Sequence, residues 1–238
     1  EKEVLLQSCG GDKVHGLVML GGELSYGEGG YLRSSLEKVL PVSMDVRTSE
    51  QKASIAMTYV MDKSGSMGRC HCGNAAQYDP SMRTEFGPSK VEIAKQAIAH
   101  AADLLNSSDK VGVVGFDQNE ATLIPSQPMA DLGVNRILKA LEPVQAEGAS
   151  NLYGGLQAGI DQLQGSGAEL KHLVMIRDGW TQQADYSSLI AELNADKITL
   201  TTVGAGDGPG EILQSLAELG GGKYYSATNI YALPNVLL

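Results

Sequence analysis

IAMTYVMDKSGSMG, residues 55–68, is an apolar run that ends at an aspartate, with two serines two and four residues beyond it. The run reads as a buried strand. Asp62, Ser64 and Ser66 then form D-x-S-x-S where the strand leaves its sheet, with Gly65 and Gly68 letting the backbone bend. Open α/β sheets place their ligands at this carboxyl edge. Three closely spaced oxygen side chains suit a hard cation such as magnesium, which takes a near-octahedral set of oxygens and keeps part of its water. Neutral serines leave the ion much of its charge, so that it can attract an anionic group from outside. D-x-S-x-S alone is equally the composition of an ordinary polar loop, so further oxygen ligands are needed to decide between the two.

Downstream of this stretch, strand and helix signals alternate. Ser54–Met61 is the first strand. Ser89–Leu105 follows as a helix that opens on SKVE, a capping box with Ser89 as the cap and Glu92 reaching back. Its apolar positions Val91, Ala94, Ile98, Ala101 and Leu105 recur at helical spacing. Lys110–Phe116 and Ala121–Ile124 are strands joined by DQNE, a connection short enough for a hairpin and hence an antiparallel edge strand. Helices are expected at Asn135–Leu141, Leu152–Leu163, Tyr186–Leu193, Gly210–Leu219 and around Asn229–Val236, and strands at Leu173–Ile176, Ile198–Val203 and Lys223–Ser226. The order predicts an α/β fold, a doubly wound, mostly parallel sheet with helices on both faces and one antiparallel edge strand.

Upstream, Val4–Gln7 and Val14–Leu20 read as short strands, GGELSYGEGG as a glycine-dense loop and Leu32–Val39 as a short helix before Pro41, with VSMDV as one more strand. These are too few elements for a closed core, so residues 1–48 read as the tail of a larger domain or an appendage, and residues 49–238 as the main domain.

Of the 238 residues, 42% are hydrophobic and 19% charged, a globular rather than a disordered composition. The net charge of -10 argues against generic attraction to nucleic acid or anionic lipid. No apolar run approaches a membrane-spanning length, and the opening EKEVLLQSCGG lacks the basic and apolar regions of a signal peptide. The three cysteines, Cys9, Cys70 and Cys72, do not make a disulfide framework.

Parallel strands bring their carboxyl-end loops to one crown, and two further segments offer oxygen ligands there. In EGASNLYGG, residues 147–155, Ser150 stands at a helix start and can offer its hydroxyl to a backbone amide or to a metal. In MIRDGW, residues 175–180, Asp178 follows a strand and precedes a glycine. Trp180 in the same segment is placed either to contact a partner or to cover the end of the sheet. Asp117 ends a strand near this edge and can add negative potential there, although solvated turn aspartates are far commoner. His100 lies within a helix and His172 opens a strand at the opposite edge. The 20-residue stretch RCHCGNAAQYDPSMRTEFGP is a long crown loop that shapes access to the site. Its Cys70, His71 and Cys72 are too closely spaced to complete a zinc tetrahedron alone, which leaves a strained disulfide or a plain surface loop.

With these residues in hand, Ser49–Leu238 resembles a von Willebrand factor type A domain. Asp62, Ser64 and Ser66 match the D-x-S-x-S element of that family's metal-ion-dependent adhesion site. The family's threonine position falls on Ser150, and its strand-end aspartate on Asp178. The resemblance implies a Mg2+ ion, or Mn2+ or Ca2+, with the hydroxyls coordinating directly or through water and the aspartates holding its waters. The missing ligand would come from a protein partner offering Asp or Glu. Two departures stand out: serine replaces threonine at 150, which keeps the hydroxyl, and Arg177 precedes Asp178. Alternation along a strand predicts that the Arg177 guanidinium points away from the metal; folded onto Asp178 it would weaken binding. The segment from Val14 to Val42 is similar to the end of glutamine amidotransferase-like domains found beside such adhesion domains in bacterial membrane-linked proteins. Cys9, in QSCGG, is not in a nucleophile elbow, so no catalysis is expected from it.

Divalent-cation-dependent protein binding is therefore the expected function. A metal-dependent hydrolase and a scaffold whose site holds no metal are the alternatives. Hydrolysis needs a positioned acid or base, and near the crown only His71 could act at neutral pH. No nucleophile elbow, zinc-protease helix or phosphate-cradling motif is present.

Overall fold

The computed structural model describes residues 54–68, 88–178, 184–205 and 210–227. The chain divides between Lys52 and Ala53, and every described residue lies in the second unit. The expected elements of residues 1–53, the helix around Asn229–Val236, Trp180 and the Cys70–His71–Cys72 stretch all lie outside the described residues.

The elements run β1 (Ile55–Asp62), α1 (Lys90–Asp103), β2 (Lys110–Phe116), β3 (Glu120–Pro128), α2 (Met129–Leu141), α3 (Leu152–Gln164), β4 (Leu170–Arg177), α4 (Ser187–Ala195), β5 (Ile198–Ala205), α5 (Glu211–Leu219) and β6 (Gly221–Ala227). Gly65–Gly68 makes one short 3-10 turn after β1. The six strands form one sheet in the order β3-β2-β1-β4-β5-β6. Only the pair of β2 with the edge strand β3 is antiparallel, as the short DQNE connection predicts. From β1 the chain builds outward through β2 to β3, then returns to place β4 on the other flank of β1. The carboxyl ends of β1 and β4 therefore flank the point where the winding reverses, which is where open α/β sheets form their crevice.

Strands buried on both faces must be apolar nearly throughout, and β1, β2 and the Leu173–Ile176 stretch of β4 are. On one face Tyr59, Met61, Val113, Val174 and Ile176 pack against α1 and α2. On the other, Val60, Val114, Phe116, Leu173 and Met175 pack against α3, α4 and α5. The helices lie on both faces, as expected from the alternation of elements.

Several boundaries differ from the sequence expectation, each for a local reason. Ser89 does cap α1, accepting the Glu92 amide at 3.3 Å. Glu92 does not reach back; its carboxylate takes the ammonium of Lys95, a lysine only 4% exposed that needs a counter-charge. Helix α2 starts at Met129, six residues before the expected Asn135, because Gly133 breaks it with φ of 64° and hides the first turn from a periodicity reading. β4 is longer at both ends than Leu173–Ile176, taking in Leu170–His172 and Arg177.

Candidate metal centre

Asp62 is the last residue of β1 and is fully buried. Its Oδ1 accepts the Ser64 amide at 2.7 Å, and its Oδ2 accepts the Ser150 hydroxyl at 3.1 Å. The Ser64 and Ser66 hydroxyls lie 3.2 Å apart in the turn that follows. Three segments far apart in sequence are stitched together by backbone bonds beneath these groups. The Gly65 amide donates to the Gly148 carbonyl at 3.0 Å, the Glu147 amide to Lys63 at 2.8 Å, and the Asn151 amide to Asp117 at 2.6 Å. Gly148 has φ of 73°, a conformation open to glycine, which turns the chain so that Ser150 faces Asp62. Ser150 itself is not the helix cap. Asn151 caps α3 by accepting the Gly154 amide at 3.2 Å, which leaves the Ser150 hydroxyl for the carboxylate.

Asp178 lies one residue beyond β4 and is 2% exposed. Its Oδ2 is 3.3 Å from the Lys90 ammonium on the first turn of α1. Its Oδ1 is buried and accepts no hydrogen bond among the described residues. Burial raises the Asp62 carboxyl above the usual range; Arg177 and the Ser64 hydrogen bonds oppose this, and the charge of Asp178 adds to it. Asp178 is thus electrostatically within reach of Asp62. The structure brings together Asp62, Ser64, Ser66 and Ser150 by direct contact and sets Asp178 beside them.

The expectation for Arg177 is overturned. Its guanidinium does not point away; Nε is 3.5 Å from Asp62 Oδ2, and the residue is 1% exposed. Met61 and Ile176 are register partners on parallel strands, so Asp62 and Arg177 follow side by side and share the α3–α4 face of the sheet. Arg177 and Asp178 do face opposite ways, since Asp178 meets Lys90 of α1 on the other side; the expectation fails because Asp62 lies on the same face as Arg177. Asp117 differs too. It is 8% exposed rather than a solvated turn aspartate, and it pairs with the Lys63 ammonium. Burial would raise its carboxyl, but Lys63 and the Asn119 amide outweigh that and hold it low.

The sequence reading missed Lys63 and Lys90 as members of this cluster. Their signal was present, since one lies inside D-K-S-G-S and the other inside the capping box, but nothing local says which carboxylate each meets. It also missed Tyr153, 40% exposed on the first turn of α3 and stacked on Tyr186 with ring centroids 6.5 Å apart. His172 is half-buried at the amino end of β4, far along the strand from Arg177, and His100 is exposed on α1.

Chemically the group is an all-oxygen donor set, two carboxylates and three hydroxyls, of the kind that holds a hard divalent cation. The buried Asp178 Oδ1, which accepts no hydrogen bond among the described residues, fits that reading, because such an atom is costly without a donor or an ion. Among the described residues no group of three or more His, Cys, Asp or Glu side chains is placed to hold a metal ion.

The comparisons with known proteins agree with this architecture. An uncharacterized protein of Synechocystis sp. is 28% identical over 121 residues, which cover 49% of this chain and 28% of that protein. The match thus spans little more than a quarter of the length of that relative. Among solved structures, an aerotolerance-related membrane protein from Bacteroides fragilis superposes with a TM-score of 0.61 at 16% identity, covering 77% of this chain and 96% of its own. A von Willebrand factor type A protein from Catenulispora acidiphila gives 0.61 at 17%, covering 78% of this chain and 41% of its own. At these identities the likeness is one of fold. A family model described as von Willebrand factor type A domain matches residues 79–226, well over half of the sequence, and the chain belongs to that family.

Proposed function

We propose that this domain binds a protein partner through a divalent cation, Mg2+ or alternatively Mn2+ or Ca2+, held by Asp62, Ser64, Ser66, Ser150 and Asp178. The bound cation would supply positive charge with an open coordination position, which an Asp or Glu side chain of the partner can fill. The observation that carries the reading is the Ser150 hydroxyl on the buried Asp62 carboxylate, with the Ser64 and Ser66 hydroxyls 3.2 Å apart in the turn that follows, beside an Asp178 oxygen that accepts no hydrogen bond among the described residues. Asp62 fixes the D-x-S-x-S turn through the Ser64 amide and orients Ser150 through its second oxygen. The hydroxyls add no charge, so attraction for an external carboxylate is preserved. Exposed Tyr153, three residues after Ser150 on the first turn of α3, offers an aromatic surface to such a partner.

Binding is proposed rather than catalysis. Neither described histidine pairs with the oxygen cluster, and a hydrolytic role needs a positioned acid or base there. Isothermal titration of the metal-free chain with MgCl2 and MnCl2, repeated on Asp62→Ala, tests the reading. Saturable binding that the variant loses is the expected result. Absence of binding to the unaltered chain, with or without a carboxylate-bearing peptide, would leave the scaffold alternative.

A further inference from the structure

The two carboxylates of the oxygen cluster are each already paired with a cation of the chain itself. Arg177 Nε lies 3.5 Å from Asp62, and Lys90 Nζ lies 3.3 Å from Asp178. Before any ion arrives, the four side chains therefore carry no net charge. The two cations are built differently. The Arg177 side chain is 2% exposed and packed within the sheet and helix layers, so moving it off Asp62 would leave the buried carboxylate without that charge. The Lys90 side chain is 14% exposed, ends in a single ammonium on a flexible stem, and starts from the first residue of α1. That position is unfavourable for a cation, because it sits at the positive end of the helix dipole. Asp178 offsets this cost, and water is close by when the pair opens.

Resting on the metal-dependent reading above, we propose that Lys90 is a displaceable counter-ion that occupies Asp178 until a divalent cation and an external carboxylate are taken up together. A divalent charge added to a neutral cluster is uncompensated. Release of Lys90 to water removes one positive charge from the cluster, and a carboxylate from outside removes the other. The fixed Arg177 leaves that second charge in place, so the cluster is neutral again only when the acidic ligand is bound. The chain's own lysine and arginine thereby couple cation affinity to the presence of the acidic partner, and the cation alone is held weakly.

The test is calorimetric titration of the whole chain with MgCl2, with and without sodium acetate at matched ionic strength, on the unaltered protein, Lys90→Met and Lys90→Arg. Acetate is expected to tighten Mg2+ binding to the unaltered chain. Lys90→Met should tighten Mg2+ binding without acetate on the order of tenfold, through loss of a unit positive charge beside the ion, and should shrink the acetate effect. Lys90→Arg, which keeps the charge, should bind Mg2+ no more tightly than the unaltered chain. Thermal melting of each variant checks folding, and Lys90→Gln serves if Lys90→Met melts early. Mg2+ affinity that is the same in Lys90→Met and the unaltered chain would overturn the Lys90 role while leaving cation binding intact. No Mg2+ uptake by any of these proteins, with or without acetate, would overturn both readings.

Discussion

His172 shows how a single titratable side chain can affect the fold without belonging to the site. It is half-buried on β4, in register with Met57 and Thr199, and burial holds its imidazole below the usual value. A histidine depressed in the folded state binds fewer protons folded than unfolded, so its contribution to stability is present above the unfolded value and lost as the pH falls below it. The urea midpoint of the domain is therefore expected to drop as the pH goes from about 7 to about 5. His172→Gln should remove that part of the drop. An identical pH profile in the variant would show that the carboxylates alone set it. Asp62 has the opposite sign: its raised carboxyl costs stability as the pH rises through its folded value, which makes the ionised group receptive to a cation.

At the scale of elements, the position of the Ser150 loop depends on how closely α3 approaches the sheet. A Cβ on Gly159 would lie 2.6 Å from Val60 Cγ2 and 2.9 Å from Leu173 Cδ1, and one on Gly155 would lie 2.6 Å from the Phe116 ring. The two glycines are four residues apart and share one helix face, so β1 and β2 pack against a groove where other residues would form a ridge. Gly159→Val is expected to lift α3 and destabilise the domain by roughly 2 kcal/mol, read as a shift in urea midpoint with an unchanged slope. Helix α3 was legible because its apolar positions follow a 3.6-residue period, and the β2–β3 hairpin because its connection is too short for a crossover. The glycine groove was not legible, since glycine at helical spacing lowers the helix signal and does not point to what it contacts. Strand ends were misjudged where a polar residue, Arg177 above all, continues the ladder: its backbone pairs with Gly204 whatever its side chain.

For the whole molecule, a mostly parallel sheet with one antiparallel edge strand was predictable from alternation and connection length, and so was the meeting of the D-x-S-x-S turn, the Ser150 loop and the Asp178 strand end at one sheet edge. What the sequence could not show is which long cationic side chain meets which carboxylate. Lys90 and Asp178 are 88 residues apart, and their meeting depends on register and helix placement. On the proposed metal-dependent reading, the same pairings set the response of the domain to metal. A cation that binds the native state alone, at about a hundredfold over its dissociation constant, adds about 2.7 kcal/mol of stability. For a domain of this size that is roughly 5 to 10 °C in Tm. Magnesium should produce such a rise and EDTA should reverse it. The chain carries a net charge of -10, so magnesium can also stabilise it by screening alone. Asp62→Ala separates the two effects, because it removes one of the site's carboxylates and leaves nearly all of the net charge. A rise that persists in Asp62→Ala is screening, and one that disappears is binding at the oxygen cluster.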